Sequence, residues 1–314
     1  MTTLVVRKCA GFGTVQDAGR FGYRRFGVPV AGAMDRCALA VANTLVGNPP
    51  DAAAVELVLA GGRFVLADGP ALVAVAGPGA TLAVDGQTIP ECQSARAAAG
   101  AEIAVGGARG GLFAYLAVSG GIAVPEVMGS RSVHARTGIG GAMLRAGERL
   151  PVGPSRGTAP MCLPGPAMPP EGGAEFRILA GPQFDEFEPQ AGALLCSEPF
   201  SIDTQSDRMA YRLRGPALIH PGGHNIVSDG VVPGAIQVPG DMHPLVLMRD
   251  CQTTGGYPKI ATVISADLPR LAQTRPGREI RFRMVAQPEA LAAARALRDW
   301  EQGLADALRP VAPR

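Results

Sequence analysis

The sequence predicts a mainly β protein with two barrel-like lobes, and three observations carry the prediction. The 42 glycines and 28 prolines are dispersed between apolar runs without a strict repeat, the pattern of many short strands joined by tight turns. Strand-like runs recur at close spacing, each bounded by Gly, Pro or Asp, as in a barrel or sandwich. A stretch dense in Pro, Gly and small residues, 150–175, interrupts the chain; its prolines favour extended, poorly packed backbone. A chain of 314 residues is long enough for two lobes. The expected organisation is a first lobe over 1–155, a connection over 156–174, and a second lobe over 175–314 that ends in a helix.

In the first lobe, "MDRCALAVANTLVGN" (34–48) predicts a helix with Asp35 as its cap and Gly47 at its end. Strands are predicted at 63–68, 71–77, 81–86, 101–107 and 112–121. In the second lobe they are predicted at 175–181, 217–220, 234–240, 244–250 and 259–265, followed by a short helix at 266–273. The segment 288–310 reads as an amphipathic helix, with Pro288 in its first turn and a stripe of Leu291, Leu297, Trp300, Leu304 and Leu308. Asp-Arg-x-Ala occurs twice before apolar residues, in "MDRCALAVANTLVG" and in "SDRMAYRLRGPAL". Duplication of one unit and coincidence both account for this echo.

Composition excludes several function classes. The net charge is +2 and the basic residues are scattered, so no basic stripe marks a nucleic-acid surface. No run of eighteen apolar residues exists, and "MTTLVVRKCAGFG" lacks the apolar core and cleavage site of a signal peptide; the expectation is a cytoplasmic protein. The six cysteines include no C-x-x-C pair, which argues for reduced thiols rather than a zinc ribbon or redox pair. His220 and His224 are four apart, but "HPGGH" is a turn and not a helix face, so no metal site is expected. The sequence has no P-loop, no G-x-S-x-G elbow, no amidase Gly-Gly-Ser-Ser loop and no Met-Lys-Met biotin-attachment context. Any ATP or biotin is therefore handled by an unorthodox site or by a partner.

Three polar clusters remain. The first, 13–36, sets Gln16, Asp17, Arg20, Arg24, Arg25, Asp35 and Arg36 among glycines, whose missing Cβ lets backbone N–H groups approach a ligand. The second is "DTQSDRMAYRLRG" (203–215), where Ser206-Asp207-Arg208 reads as a cap or turn. The third is "RDCQTTGGYPKIATV" (249–263). The chain has two lysines, Lys8 and Lys259, against 27 arginines, and one of the two follows this amide- and hydroxyl-rich loop. A lysine offers a compact point charge and a movable pKa, which arginine does not. Gln252, Thr253, Thr254 and Tyr257 both donate and accept hydrogen bonds, which suits a planar amide, urea or carboxylate. Lys259 is placed to stabilise charge, and Asp250 to act as a base or to orient Lys259.

The stretches "TVQDAGRFGYRRFGVPVAGAMD", "LVGNPPDAAAVEL" and "GAIQVPGDMHPLVLMRDCQTTGGYPKIATV" resemble the KipA family. That family is also called allophanate hydrolase subunit 2, the biotin-dependent carboxyltransferase family, or the C subunit of 5-oxoprolinase. The resemblance implies two cyclophilin-like β-barrel lobes with a few short helices. It implies a KipI-like partner (allophanate hydrolase subunit 1, or the B subunit of 5-oxoprolinase) and a further LamB/YcsF-type subunit. The complex it implies opens 5-oxoproline to glutamate at the expense of ATP. The alternatives are a carboxyltransferase that acts on a urea-like substrate with biotin on a partner, and a non-catalytic regulatory component of the KipI–KipA type. The family's motif residues map to Gln16, Asp17, Arg20, Asp35, Gln237, Asp250, Gln252, Thr253, Thr254, Tyr257 and Lys259. The chain departs from the usual motif at Met242-His243, a bulky titratable pair expected beside the site.

Overall fold

The computed structural model describes residues 2–155, 157, 159–164, 174–223 and 225–311. They form two compact units. The first comprises Met1–Arg20, Ala31–Pro170 and Asp299–Arg314, and the second Phe21–Val30 and Glu171–Arg298. These boundaries differ from the expected ones at both ends. Residues 21–30 leave the first unit for the second, and the end of the C-terminal helix returns to the first. Most of the expected connection, including 165–173, lies outside the described residues.

In the first unit the strands run β1 (Thr3–Cys9), β2 (Gly13–Gln16), β3 (Ala54–Val58), β4 (Gly62–Ala67), β5 (Ala71–Ala76) and β6 (Thr81–Val84). They continue with β7 (Gln87–Ile89), β8 (Ser94–Ala97), β9 (Glu102–Gly106), β10 (Phe113–Val118) and β11 (Arg149–Pro151). Two sheets result, ordered β11-β1-β4-β9-β6-β7 and β2-β3-β10-β5-β8. Strands of the first sheet alternate: Phe64 and Leu66 of β4, Leu82 and Val84 of β6, and Ile103 and Val105 of β9 are buried in the core shared with the second sheet. Each large side chain so buried contributes about 1.5–3 kcal/mol.

In the second sheet, β5 and β10 are buried on both faces, because helix α1 (Arg36–Leu45) packs on them. This explains why "ALVAVA" and "FAYLAV" are continuous apolar runs. Asp35 caps α1 as expected, its Oδ1 accepting from the backbone N–H groups of Cys37 (2.9 Å) and Ala38 (3.0 Å), a cap worth about 1 kcal/mol. Strand β12 (Met161–Cys162) pairs with the last strand, β22 (Arg309–Pro310).

The closed barrel belongs to the second unit. Its strands are β13 (Glu175–Ala180), β14 (Phe200–Ile202), β15 (Ala210–Arg214), β17 (Ala235–Gln237), β18 (Leu245–Leu247), β20 (Lys259–Val263) and β21 (Glu279–Met284). They close in the order β13-β20-β17-β18-β15-β14-β21, sealed by the parallel pairing of β13 with β21. Phe176, Phe200, Tyr211, Ile236, Val246, Ile260 and Phe282 are buried. Outside the barrel, β16 (Asp229–Gly230) pairs with β19 (Thr254–Gly255). Helices α2 (Pro189–Ser197) and α3 (Leu268–Ala272) belong to this unit, and α4 (Gln287–Ala307) begins in it.

One expected strand is corrected, and the echo is decided. Residues 217–220 form no strand; Leu218 and Ile219 instead bond to Met242 and Glu188 of neighbouring turns. The Asp-Arg-x-Ala echo has no structural counterpart. After Asp35 the chain is a helix buried along almost its whole length, whereas after Asp207 it is a strand whose burial alternates. The same four letters obey the period of whatever follows them. In α4, Leu304 is buried but Leu291 is about half exposed, so the expected stripe is covered over only part of its length.

Candidate functional site

The barrel's polar centre arises from an irregularity in pairing. In the β17–β20 pair Ala235 opposes Thr262 and Ile236 opposes Ala261, but Gln237 opposes Lys259, so the register shifts by one residue. Such bulges re-aim side chains. This one sets two buried polar residues, Gln237 and Lys259, across from each other in an otherwise apolar wall. The bulged backbone is clamped from β13. Gly181 approaches so closely that a Cβ there would collide with the Lys259 carbonyl oxygen, and the Gln183 side chain accepts from the Lys259 N–H at 3.1 Å.

Above this pair the chain runs through the loop 250–258. Gln237 Nε2 donates to the Tyr257 carbonyl at 3.4 Å. The side-chain amides of Gln237 and Gln252 converge on Gly255, where a Cβ would lie 2.6 Å from Gln237 Nε2 and 3.4 Å from Gln252 Nε2. Glycine at this position leaves the space the two amides face. Thr253 is half-buried and Thr254 and Tyr257 are exposed. A surface strap, 226–231, lies along the loop. It is held by Ile226 N–H to Gly256 O (2.8 Å), by the β16–β19 pair, and by Val231 N–H to Thr253 O (3.1 Å).

The strap carries a carboxylate that sequence reading missed. Asp229 Oδ2 lies 3.2 Å from Lys259 Nζ. Lys259 is 3% exposed and its Nζ makes no hydrogen bond among the described residues. The contact is an ion pair that engages one side of an ammonium with three donors. Asp229 is exposed, and its carboxyl is held below the usual carboxylate range by the Gly230 N–H first and by Lys259 second.

Asp250, expected as a base or as the group orienting Lys259, is engaged elsewhere. Arg208 takes both its oxygens, Nε to Oδ2 at 2.9 Å and Nη2 to Oδ1 at 2.8 Å. This fork ties the turn before β15 to the start of the loop. Arg24, on the segment that crosses over from the N-terminal motif, also reaches this loop. Its Nη2 donates to the carbonyls of Val231 and, at 3.4 Å, Gln252. Its guanidinium lies beside the Cys251 thiol, which burial pushes up to about 11 against the opposing pull of Arg24. The signal for Arg24 was its place in the glycine-rich first cluster. Asp229, in a polar exposed segment, gave none.

The remaining expected site residues belong to the first unit, where protein groups engage each of them. Gln16 donates to Val133 O and Thr14 Oγ1. Asp17 accepts from Gly19 N, Ser130 Oγ, Ser132 Oγ and Arg131 N. Arg20, fully buried, donates to Val127 O and Ser132 O. Asp35 caps α1. Together Gln16, Asp17 and Arg20 tie down the loop 127–133. Met242, with φ near 60°, and His243 form the β17–β18 turn. His220 stands against Phe187 and 3.4 Å from Glu186, and His224 lies outside the described residues.

What the barrel site can do follows from its donor set. Two converging amides and one under-used ammonium suit a planar amide or ureido group that carries negative charge.

The sequence pattern of the carboxyltransferase domain, subdomains A and B, matches residues 26–284. The chain belongs to this carboxyltransferase-domain family. It is 38% identical to the C subunit of 5-oxoprolinase from Escherichia coli (strain K12) over 92% of this chain and 94% of that one. The crystal structure of TTHA0988 superposes with a TM-score of 0.81 at 33% identity, over 90% of this chain and 55% of that chain. That of the K. lactis urea amidolyase superposes with a TM-score of 0.88 at 26% identity, over 97% of this chain and 20% of that one. The chain therefore spans about half of TTHA0988 and a fifth of the urea amidolyase. Both matched structures share the mainly β architecture described above. No helix among the described residues is long and apolar enough to cross a membrane.

Proposed function

We propose that this chain is the amide-handling component of an ATP-dependent 5-oxoprolinase complex that opens 5-oxoproline to glutamate. The observation that carries the reading is the match to the C subunit of a 5-oxoprolinase over nearly the whole of both chains. In this reading Gln237 and Gln252 bind the planar lactam amide, with Thr253, Thr254 and Tyr257 lining the approach. Lys259 balances negative charge on the ligand. Asp250 holds the loop through Arg208. Gln16, Asp17, Arg20 and Asp35 support the first unit rather than touch the ligand. ATP binds on a KipI-like or LamB/YcsF-type partner, and the isolated chain turns nothing over.

One observation favours a second reading. The likeness to a urea amidolyase and the family's own description support carboxyl transfer with biotin carried by a partner. Biotin's ureido ring is a planar cyclic amide, and the Gln237–Gln252 pair fits it; biotin already carboxylated on the partner would supply the carboxyl group and leave as biotin.

The test is an assay of the assembled complex. ATP-dependent glutamate release from 5-oxoproline that avidin does not affect supports the first reading, and avidin sensitivity overturns it. Full activity in complexes carrying Lys259→Ala and Gln252→Ala would overturn both and favour a regulatory role.

A further inference from the structure

We propose that the barrel site's ligand carries an anionic group that takes the place of Asp229 on the Lys259 ammonium, the 226–231 strap shifting aside as it binds. The inference rests on the lactam reading above and assigns the carboxylate of 5-oxoproline a place: on Lys259, in exchange for Asp229.

The two partners of the ion pair are unequal. Lys259 is 3% exposed, yet the Asp229 side chain is 57% exposed. A buried ammonium is stabilised by a nearby negative charge, and in this structure Asp229 is the carboxylate that stands over Lys259. A permanent structural partner would be expected to bring its own hydrogen bonds and burial to the contact, as Asp250 does with Arg208. Asp229 brings no burial, and only its Oδ2 faces Lys259, its Oδ1 accepting from the N–H of Gly230 at 2.6 Å.

The element that presents Asp229 is fixed at its end, where Val231 is buried and accepts from Arg24, but residues 225 and 227–230 are exposed, Val227 to 91%, and are attached by backbone bonds. Segments with few buried contacts and exposed backbone pairing open at the least cost. An incoming carboxylate can present both of its oxygens to an ammonium that Asp229 meets with one. Beside it, the amides of Gln237 and Gln252 face the space left open by Gly255. One ligand that combines a carboxylate with a ring amide would satisfy all three groups. A neutral urea offers the ammonium nothing to replace Asp229 with.

The test is calorimetric titration of the full chain with 5-oxoproline and with 2-pyrrolidinone, the same ring without the carboxylate, for the natural protein and for Asp229→Asn. Asp229 is exposed, so the variant should fold; circular dichroism checks this, with Asp229→Ala as a second variant. Removing the internal competitor should tighten 5-oxoproline binding by about 5- to 10-fold, roughly 1–1.4 kcal/mol, and leave 2-pyrrolidinone unchanged. Equal or weaker 5-oxoproline binding in both variants, or an equal gain for 2-pyrrolidinone, overturns the inference and leaves the lactam reading standing. Binding of neither compound by any of the proteins overturns the lactam reading, and this inference with it.

Discussion

Gln237 and Lys259 face each other across a one-residue register shift between β17 and β20. Both are buried where the neighbouring wall positions, Ile236 and Ile260, are apolar. Burying an amide and an ammonium in a barrel wall costs free energy unless partners are supplied. Tyr257 O meets the Gln237 amide and the exposed Asp229 meets the Lys259 ammonium, one partner for each. This placement is what makes the pair the candidate site, and each prediction below tests one of its supports.

Gly255→Ala tests whether the converging amides need open space. A methyl group there would come within 2.6 Å of Gln237 Nε2, closer than non-bonded atoms stand, so the Gln237 amide must turn away. The substitution should weaken binding of 5-oxoproline at least tenfold, about 1.4 kcal/mol, with little effect on melting temperature. Unchanged affinity by calorimetry would show that the amides do not touch the ligand.

Arg24 tests whether the N-terminal excursion shapes the barrel site. Its guanidinium bridges the carbonyls of Val231 on the strap and Gln252 in the loop. Arg24→Ala should raise KM in the assembled complex several-fold while changing kcat less, because it loosens the loop without removing a ligand contact. Hydrogen exchange at 226–231 and 252–256 should speed up. Arg24→Lys should rescue little, since a single ammonium does not reproduce the planar fork. A loss confined to kcat would assign Arg24 to the chemistry instead.

Asp250→Ala separates a structural carboxylate from a base. Asp250 and Arg208 form a mostly buried bidentate pair, with side-chain exposures of 6% and 16%. Removing one partner of such a pair costs roughly 3–5 kcal/mol, so chemical denaturation should show a large loss of stability. If Asp250 were a base, Asp250→Ala would retain its stability and lose turnover alone.

Much of this site was legible in the sequence, and the reasons differ residue by residue. Lys259 stood out through its rarity, and the strands on either side of the loop 250–258 through their apolar runs ending in turn residues. Gln237 and Gln252 came with the family resemblance. The crossing of residues 21–30 into the second unit leaves no local period, and Arg24 within it donates to carbonyls more than two hundred residues away. Asp229 is invisible for a similar reason: an aspartate in a polar, exposed segment looks like any solvated loop. The fork on Asp250 was not legible because Arg208, its partner, sits 42 residues upstream. The opposite lesson comes from the Asp-Arg-x-Ala echo, where short identity in sequence met a helix in one unit and a strand in the other.

The pH dependence of the Lys259 contact gives the last test. The carboxyl of Asp229 is held below its ordinary value of 3.8, with the Gly230 N–H as the larger cause and Lys259 the next. A depressed carboxyl contributes its contact above the ordinary value and loses it as pH falls through the lowered one. Asp229 therefore stays ionised over Lys259 throughout the range from about pH 5 to 8, and a ligand carboxylate of ordinary pKa is ionised there too. Affinity for 5-oxoproline should accordingly be flat across that range, in the natural protein and in Asp229→Asn alike. Carbon-13 NMR of the Asp229 carboxyl should give a midpoint under 3.8, rising in Lys259→Met but not fully, because the Gly230 N–H remains. A midpoint that does not move in Lys259→Met would show that the ammonium does not hold the strap's carboxylate.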